Sequence, residues 1–260
     1  MKVVLFCGGF GTRLREHSDV VPKPLVDIGN RPIIWHLMKY YAHYGHKDFI
    51  LCLGYKGEMI KQFFRDYDSY RYRDFVMRDG GKNLEPTESD IADWTIRFVD
   101  TGLHSNIGER LVAVEKFLAD EETFLVNYSD QLSSFPLPEI IEFHCRNNMI
   151  ASVLSTQPAH SFHHLKATDE GIVTRFGAVS NTEFWINGGY IVLNWQIFDY
   201  IQEGEELVQQ PFQRLMREKK LGSLKWSGFW APMDTFKDKI MFDRMNGRGD
   251  RPWEVWPNGT

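Results

Sequence analysis

The sequence predicts an α/β fold: a mixed, mainly parallel sheet flanked by helices, with a smaller antiparallel subregion in its second half. Three observations predict it. Short apolar runs alternate with helix-period stretches as far as residue 127, the pattern of repeated β-α-β units. After residue 151 the strand-like runs are shorter and one pair is separated by a turn signal, as in antiparallel pairing. Hydrophobic residues make up 43% and charged residues 25% of the 260, enough for one large core or two small ones. No internal repeat or low-complexity linker marks a boundary, so 1–260 reads as a single domain with halves 1–150 and 151–260.

The elements follow in order. Residues 2–7 (KVVLFC) read as a buried strand, and a glycine-rich turn follows. Residues 32–44 carry Ile33, Ile34, Leu37, Met38 and Tyr41 at helical spacing, with Pro32 at the start and Gly45 as a C-terminal cap. Residues 49–53 read as a second strand and 58–64 as a second helix. Residues 95–99 and 123–127 read as further strands, with 109–118 helical between them. The stretch 67–93 is polar and contains Asp79-Gly80-Gly81; it reads as an irregular excursion or lid. Later strands are expected at 151–156, 166–168, 172–176 and 185–193, with Asp169-Glu170-Gly171 as a hairpin turn. Such a Rossmann-like sheet binds ligands at the carboxyl ends of its strands. The loops after Cys7, Leu53, Val99 and Asn127 are therefore where chemistry is expected.

Composition excludes several classes. A net charge of −5 argues against nucleic acid as the main partner. Cys7, Cys52 and Cys145 have no metal-ligand spacing and are odd in number, which fits a reducing cytoplasm better than a disulfide framework. The apolar start is too short for a signal peptide, and no run reaches membrane-spanning length.

The strongest local motif is the strand followed by Gly8-Gly9-Phe10-Gly11-Thr12-Arg13-Leu14. Glycines let a backbone approach phosphate with its N–H groups turned inward, Thr12 adds a hydroxyl, and Arg13 adds a fork suited to phosphate oxygens. Lys23 follows between Pro22 and Pro24, which stiffen its segment. A tight turn with a surface arginine is the plain alternative. A P-loop is absent, and a dinucleotide fingerprint would need a third glycine where Leu14 stands.

GGFGTRL, PKPLVDIGNRPIIWH (22–36) and GYKGEMIKQFF (54–64) resemble the sugar-phosphate nucleotidyltransferases, and among them the glucose-1-phosphate cytidylyltransferases. The resemblance runs on through VDTG (99–102), Gly108-Glu109-Arg110-Leu111, Tyr128-Ser129-Asp130, Asn187-Gly188-Gly189 and residues 229–235 (FWAPMDT). It implies transfer of a nucleotidyl group, most readily from CTP, to a phosphorylated sugar or cyclitol. It also implies a nucleotide site from Phe6, Cys7, Gly8, Gly9, Gly11, Thr12, Arg13, Lys23, Thr101, Gly102, Arg110, Tyr128 and Ser129. Asp130 and Asp234 match the family's metal ligands, for the Mg²⁺ that a triphosphate needs. Arg13, Lys23 and Asp130 are the expected catalytic groups, and Asn187, Gly188 and Trp230 are expected at the acceptor. A homo-oligomer is expected by the same resemblance. Pro252–Trp256 resembles the family's tail, expected to dock on a neighbouring subunit, although core packing is the default for the C-terminal tryptophans.

The sequence departs from the family in two places. The usual Tyr-Gly-Asp is Tyr128-Ser129-Asp130, where a serine side chain crowds the nucleotide or adds a hydrogen bond. The usual Glu-Lys-Pro after Phe176 is missing; the chain reads Gly177-Ala178-Val179-Ser180. Lys166 or Arg175 is expected to supply the lost charge, and an acceptor other than glucose 1-phosphate is expected. His160, His163 and His164 read as surface or pocket wall rather than a zinc site. A catalytically silent nucleotide-binding relative is the rival reading. A glycosyltransferase would need an Asp-x-Asp motif that 128–131 lacks.

Overall fold

In the computed structural model of the chain, residues 1–10, 21–67, 75–86, 89–158, 163–178 and 184–257 are described. Seven strands form one sheet: β1 (Val3–Phe6), β2 (Asp48–Leu53), β3 (Thr95–Asp100), β4 (Thr123–Asn127), β5 (Ala151–Thr156), β6 (Ile186–Asn194) and β7 (Leu221–Trp226). Their order is β7-β5-β6-β4-β1-β2-β3. β1, β2, β3 and β4 pair in parallel, with Val3 opposite both Phe49 and Leu125. β6 alone runs the other way, between β4 and β5, while β7 is again parallel to β5. Strands of both halves of the chain thus hydrogen-bond in one sheet.

Alternation along β1 shows how the sheet is covered. Val3 and Leu5 face one core, with helices α1 (Ile33–His43), α2 (Gly57–Arg65), α4 (Leu137–Arg146) and α6 (Phe236–Gly247). Val4 and Phe6 face a second core, with α3 (Ile107–Val114) and α5 (Gln210–Arg217). A sheet buried on both faces needs apolar residues at successive positions, and β1 is buried at all four. The strands and helices expected between residues 2 and 127 lie within one or two residues of their places, except that α3 starts two residues early and ends at Val114 in a 3₁₀ turn; the sequence pattern gives no expectation for α4.

The pattern of residues 221–226 predicts no element, yet they form β7. This edge strand carries Gly222, Ser223 and Lys225 and alternates weakly in burial, so its pairing with β5 rather than its pattern makes it a strand. Part of the 67–93 excursion also forms regular structure. Phe75–Arg78 pairs with Asn83–Pro86 across a turn in which Asp79, Gly80 and Gly81 all have positive φ. Arg31 reaches Asp90 at 2.9 Å, Tyr67 donates to the same carboxylate at 2.8 Å, and Arg31 also donates to Tyr67. This buried network ties both ends of the excursion to the 27–32 hairpin.

The C-terminal tail packs its tryptophans against its own chain. Trp256 meets Trp35 edge-on, and Trp253 is buried against His36, Phe229 and Phe242. Among the described residues no helix is long and apolar enough to cross a membrane.

Candidate active site

A cleft of about 630 Å³ opens at the carboxyl ends of β1, β3 and β4. One end is built almost wholly from backbone. The chain leaves β1 at Cys7 and β2 at Leu53, and the two exits are tied by Cys7 N–Cys52 O at 2.9 Å and Tyr55 N–Gly8 O at 3.3 Å. Gly54 lies where they meet. A Cβ there would fall within 3.0 Å of Gly8 O, Gly102 O and the Arg110 guanidinium, so only glycine lets the three exits close together.

Arg110 holds this end from beneath. It projects from α3, whose start is set by an Asn106–Glu109 capping box. It donates to Leu53 O at 3.0 Å, Thr101 Oγ1 at 2.7 Å and Gly8 O at 3.2 Å. Thr101 in turn donates to Leu53 O. Arg110 makes no ion pair among the described residues. Its buried charge faces the cleft among carbonyls and hydroxyls, an arrangement open to a polar or anionic ligand. Burial pushes the Cys7 thiol up to about 12, only partly offset by the Ser129 hydrogen bond and Arg110, so Cys7 stays protonated.

Asp130 and Asp234 meet at the middle of the cleft, although 104 positions separate them in the chain. Residues Gln131–Ser133 pair antiparallel with Trp230–Pro232, and Met233 N donates to Asp130 O at 2.8 Å. A second capping box, Thr235 with Asp238, starts α6, and Asp238 also accepts from Asp234 N. Lys23, in a 3₁₀ turn after extended Pro22, reaches both carboxylates: 2.5 Å to Asp130 and 2.6 Å to Asp234. Burial alone would lower the Lys23 pKa. The attraction and hydrogen bonds of Asp130 and Asp234 outweigh it and raise it above the ordinary value. Two carboxylates converging on one cation are a donor set of hard oxygens, suited to a divalent ion such as Mg²⁺.

Ser129 adds a hydrogen bond and points away from the cleft. Its φ of +67° is a left-handed conformation that costs a side chain about 1–2 kcal/mol. Its hydroxyl donates to Phe6 O at 2.7 Å and its N–H to Asn127 Oδ1, offsetting about 1 kcal/mol of that.

The other end of the cleft is a wall of side chains: Tyr128, Gln131, Ile186, Asn187, Trp230 and Pro232. Asn187 donates to Tyr128 OH, and Trp230 Nε1 donates to Gly188 O at 2.8 Å. Burial pushes the Tyr128 phenol up to about 12, so it remains neutral.

Of the residues singled out from the sequence, Phe6, Gly8, Gly9, Arg110, Tyr128, Asp130, Asn187, Trp230 and Asp234 line the cleft. Cys7, Thr101, Gly102, Ser129 and Gly188 lie directly behind lining residues. Gly11, Thr12 and Arg13 are outside the described residues, as is His160. Lys166 and Arg175 are not brought to the cleft. They are cross-strand neighbours on an exposed hairpin, His163–Ala167 with Val173–Ala178, which pairs only with itself. Among the described residues no group of three or more His, Cys, Asp or Glu is placed to hold a metal. His104 and Asn106, within the 101–110 region that the family resemblance assigns to the nucleotide, also line the cleft, as do Gln131 and Glu206, and the sequence motifs miss these last two. Gln131 follows directly on Asp130, but Glu206 lies in a loop with no motif to flag it.

Glycines at the exit of β1, a lysine and two convergent aspartates at the strand ends fit a nucleotidyl-transferring α/β enzyme. The nucleotidyl transferase family profile matches residues 2–235, and the chain belongs to that family, among its sugar-phosphate nucleotidyltransferases. More particularly, it is 35% identical over 257 residues to the glucose-1-phosphate cytidylyltransferase of Salmonella typhimurium, covering 98% of this chain and 100% of the relative. It is 28% identical to the mannose-1-phosphate guanyltransferase of Yarrowia lipolytica, over 92% of this chain and 62% of that one. Among solved structures, a UDP-glucose pyrophosphorylase complexed with UDP-glucose superposes with a TM-score of 0.68 at 12% identity, covering 95% and 98% of the two chains. HddC from Yersinia pseudotuberculosis superposes with 0.64 at 18%, covering 94% and 99%. At these identities the structural likeness concerns the fold.

Proposed function

We propose that the protein transfers the cytidylyl group of CTP to a phosphorylated sugar or cyclitol, with Mg²⁺, releasing pyrophosphate. The observation that carries this reading is the Lys23–Asp130–Asp234 cluster between a backbone-built end and a side-chain wall of one cleft. The 35% identity to a protein named glucose-1-phosphate cytidylyltransferase favours CTP. An acceptor phosphate oxygen attacks the α-phosphorus of the triphosphate, the α–β phosphoanhydride bond breaks, and pyrophosphate leaves. The acceptor is already an anion, so the protein's task is placement and charge screening rather than proton abstraction.

The nucleotide lies at the Gly8 and Arg110 end and reaches Tyr128 on the facing wall, with Arg13 on the leaving phosphates. Lys23 sets a positive charge where the two halves of the cleft meet. Asp130 and Asp234 hold Mg²⁺, which supplies Lewis-acid charge neutralisation at the reacting phosphates. The acceptor rests against Asn187, Gly188 and Trp230. With Lys166 and Arg175 outside the cleft and no lysine or arginine in 159–162 or 179–183, its wall carries less positive charge than the family pattern implies. An acceptor other than glucose 1-phosphate follows. Exposed Leu165, Ile172, Val173, Val76 and Met77 on the two hairpins support a homo-oligomer, measurable by light scattering.

Pyrophosphate release across nucleoside triphosphates and sugar 1-phosphates tests the whole reading. We expect release with CTP, dependent on one class of acceptor and abolished by a chelator. Folded protein that binds CTP but releases nothing with any acceptor would instead be a silent relative.

A further inference from the structure

Two buried polar atoms on cleft-lining residues have no hydrogen-bond partner among the described residues: Gln131 Nε2 and Glu206 Oε1. Glu206 is partly accounted for, because its other oxygen accepts from Ile107 N at the start of α3. Gln131 has no such explanation. It is only 5% exposed, and a buried donor left unmade is a cost that native folds rarely carry without a use.

The surroundings show how the amide is kept there. Gly189 lies beneath it at a φ of +76°, and a Cβ on Gly189 would fall 1.4 Å from Gln131 Nε2 and 2.8 Å from the Tyr128 ring. The missing side chain of Gly189 is therefore the slot that admits the Gln131 amide. The backbone of Gln131 is fixed on both sides, by pairing opposite Pro232 and by the Tyr190 hydroxyl on its carbonyl. Its neighbours on the wall are engaged: Asn187 Nδ2 with Tyr128, Asn187 Oδ1 with Gly189 N, and Trp230 Nε1 with Gly188 O. Asp130 and Asp234, which also line the cleft, are acceptors and already share Lys23.

We propose that Gln131 is an acceptor-binding residue that donates its uncommitted N–H to an oxygen of the phosphorylated sugar or cyclitol, either a ring hydroxyl or a phosphate oxygen. The assignment rests on the nucleotidyltransferase reading above and names the group that does part of the work of the family's missing lysine. A neutral amide recognises oxygen by geometry rather than by charge. It therefore selects for the shape of the acceptor, where a lysine would select mainly for its phosphate.

The test compares wild type with Gln131→Met, which keeps volume without the donor, and Gln131→Glu, which keeps shape but presents no donor when ionised. Acceptor affinity is read twice, as KM in pyrophosphate release and as Kd by calorimetry, alongside KM for CTP and thermal unfolding. Both variants should raise acceptor KM and Kd about tenfold to a hundredfold, the scale of one hydrogen bond to a polar or charged group. KM for CTP should stay within about twofold, and Gln131→Met should melt no lower than wild type, since it buries no orphan donor.

Monodeoxy acceptors separate the two oxygen sources. A ring-hydroxyl partner leaves one deoxy compound equally weak in wild type and Gln131→Met, whereas a phosphate partner makes every acceptor lose equally. Unchanged acceptor KM and Kd in both variants, with or without a shift in melting, would overturn the assignment, as would a wild type that binds no sugar phosphate. Binding without turnover, by contrast, would sink the functional reading and leave the Kd comparison to decide Gln131.

Discussion

The two ends of the cleft are made of different materials. The nucleotide end is backbone: the exits of three parallel strands drawn together at Gly54 and braced by a single buried side chain, Arg110. The acceptor end is side chain: Gln131, Asn187, Tyr128 and Trp230, brought from β4, β6 and a segment a hundred positions further on. Backbone N–H groups suit phosphates, which every nucleoside triphosphate carries. Side-chain recognition can be rebuilt one residue at a time without disturbing the sheet. Of the departures from the family pattern, Ser129 lies behind the cleft, while Lys166 and Arg175 stay outside it.

The largest expected effect lies at the junction of the two ends. Lys23→Met leaves Asp130 and Asp234 facing each other without their shared cation, and kcat should fall about 10²–10³-fold. Thermal unfolding should also drop, and added Mg²⁺ should restore more of it in the variant than in wild type. If Mg²⁺ stabilises both equally, the two carboxylates do not form the metal site.

Next comes Arg110→Met. It removes three buried hydrogen bonds, while Leu53 O keeps Thr101 and Gly8 O keeps Tyr55 N, for an expected loss of about 1–3 kcal/mol in urea unfolding. KM for CTP should rise while acceptor Kd stays unchanged. An equal effect on both ligands would mean that the ends are not independent.

Gly189→Ala is the matching change at the acceptor end. A side chain at positive φ costs about 1–2 kcal/mol, and its Cβ would displace the Gln131 amide. Acceptor KM should rise with KM for CTP held, the reverse of Arg110→Met.

The smallest effect separates strain from bonding at Ser129. Ser129→Ala loses the Phe6 hydrogen bond and keeps the positive φ, so it should cost about 1 kcal/mol by urea unfolding. Ser129→Gly loses both together and should be close to neutral. Equal losses would mean that the conformation carries no strain.

Much of the nucleotide end is legible in the amino-acid sequence. Val3–Phe6, Asp48–Leu53, Thr95–Asp100 and Thr123–Asn127 are apolar runs of strand length, and in a parallel sheet the residue after each strand is at the binding edge. Gly8, Gly9, Arg110, Tyr128 and Asp130 follow from that rule together with a family resemblance, and all five line the cleft. The acceptor end is only partly legible. Asn187, Trp230 and Asp234 come through resemblance, but Gln131 looks like any polar residue after a motif. Glu206 sits in a loop whose sequence says nothing of where it lands. Lys166 and Arg175 stand out by charge alone, and charge in a hairpin carries no information about which way the hairpin packs.

By itself the sequence determined what local periodicity and strand order can determine: the α/β class and the helices and strands as far as residue 127. The fold alone decided what depends on distant segments meeting. The 131–133 and 230–232 pairing sets Asp234 beside Asp130, and the reversed strand β6 brings Gly189 under Gln131. The tail folds back on Trp35 and His36. Periodicity is set within a few residues of chain, whereas those contacts are set by how whole elements bury their apolar faces.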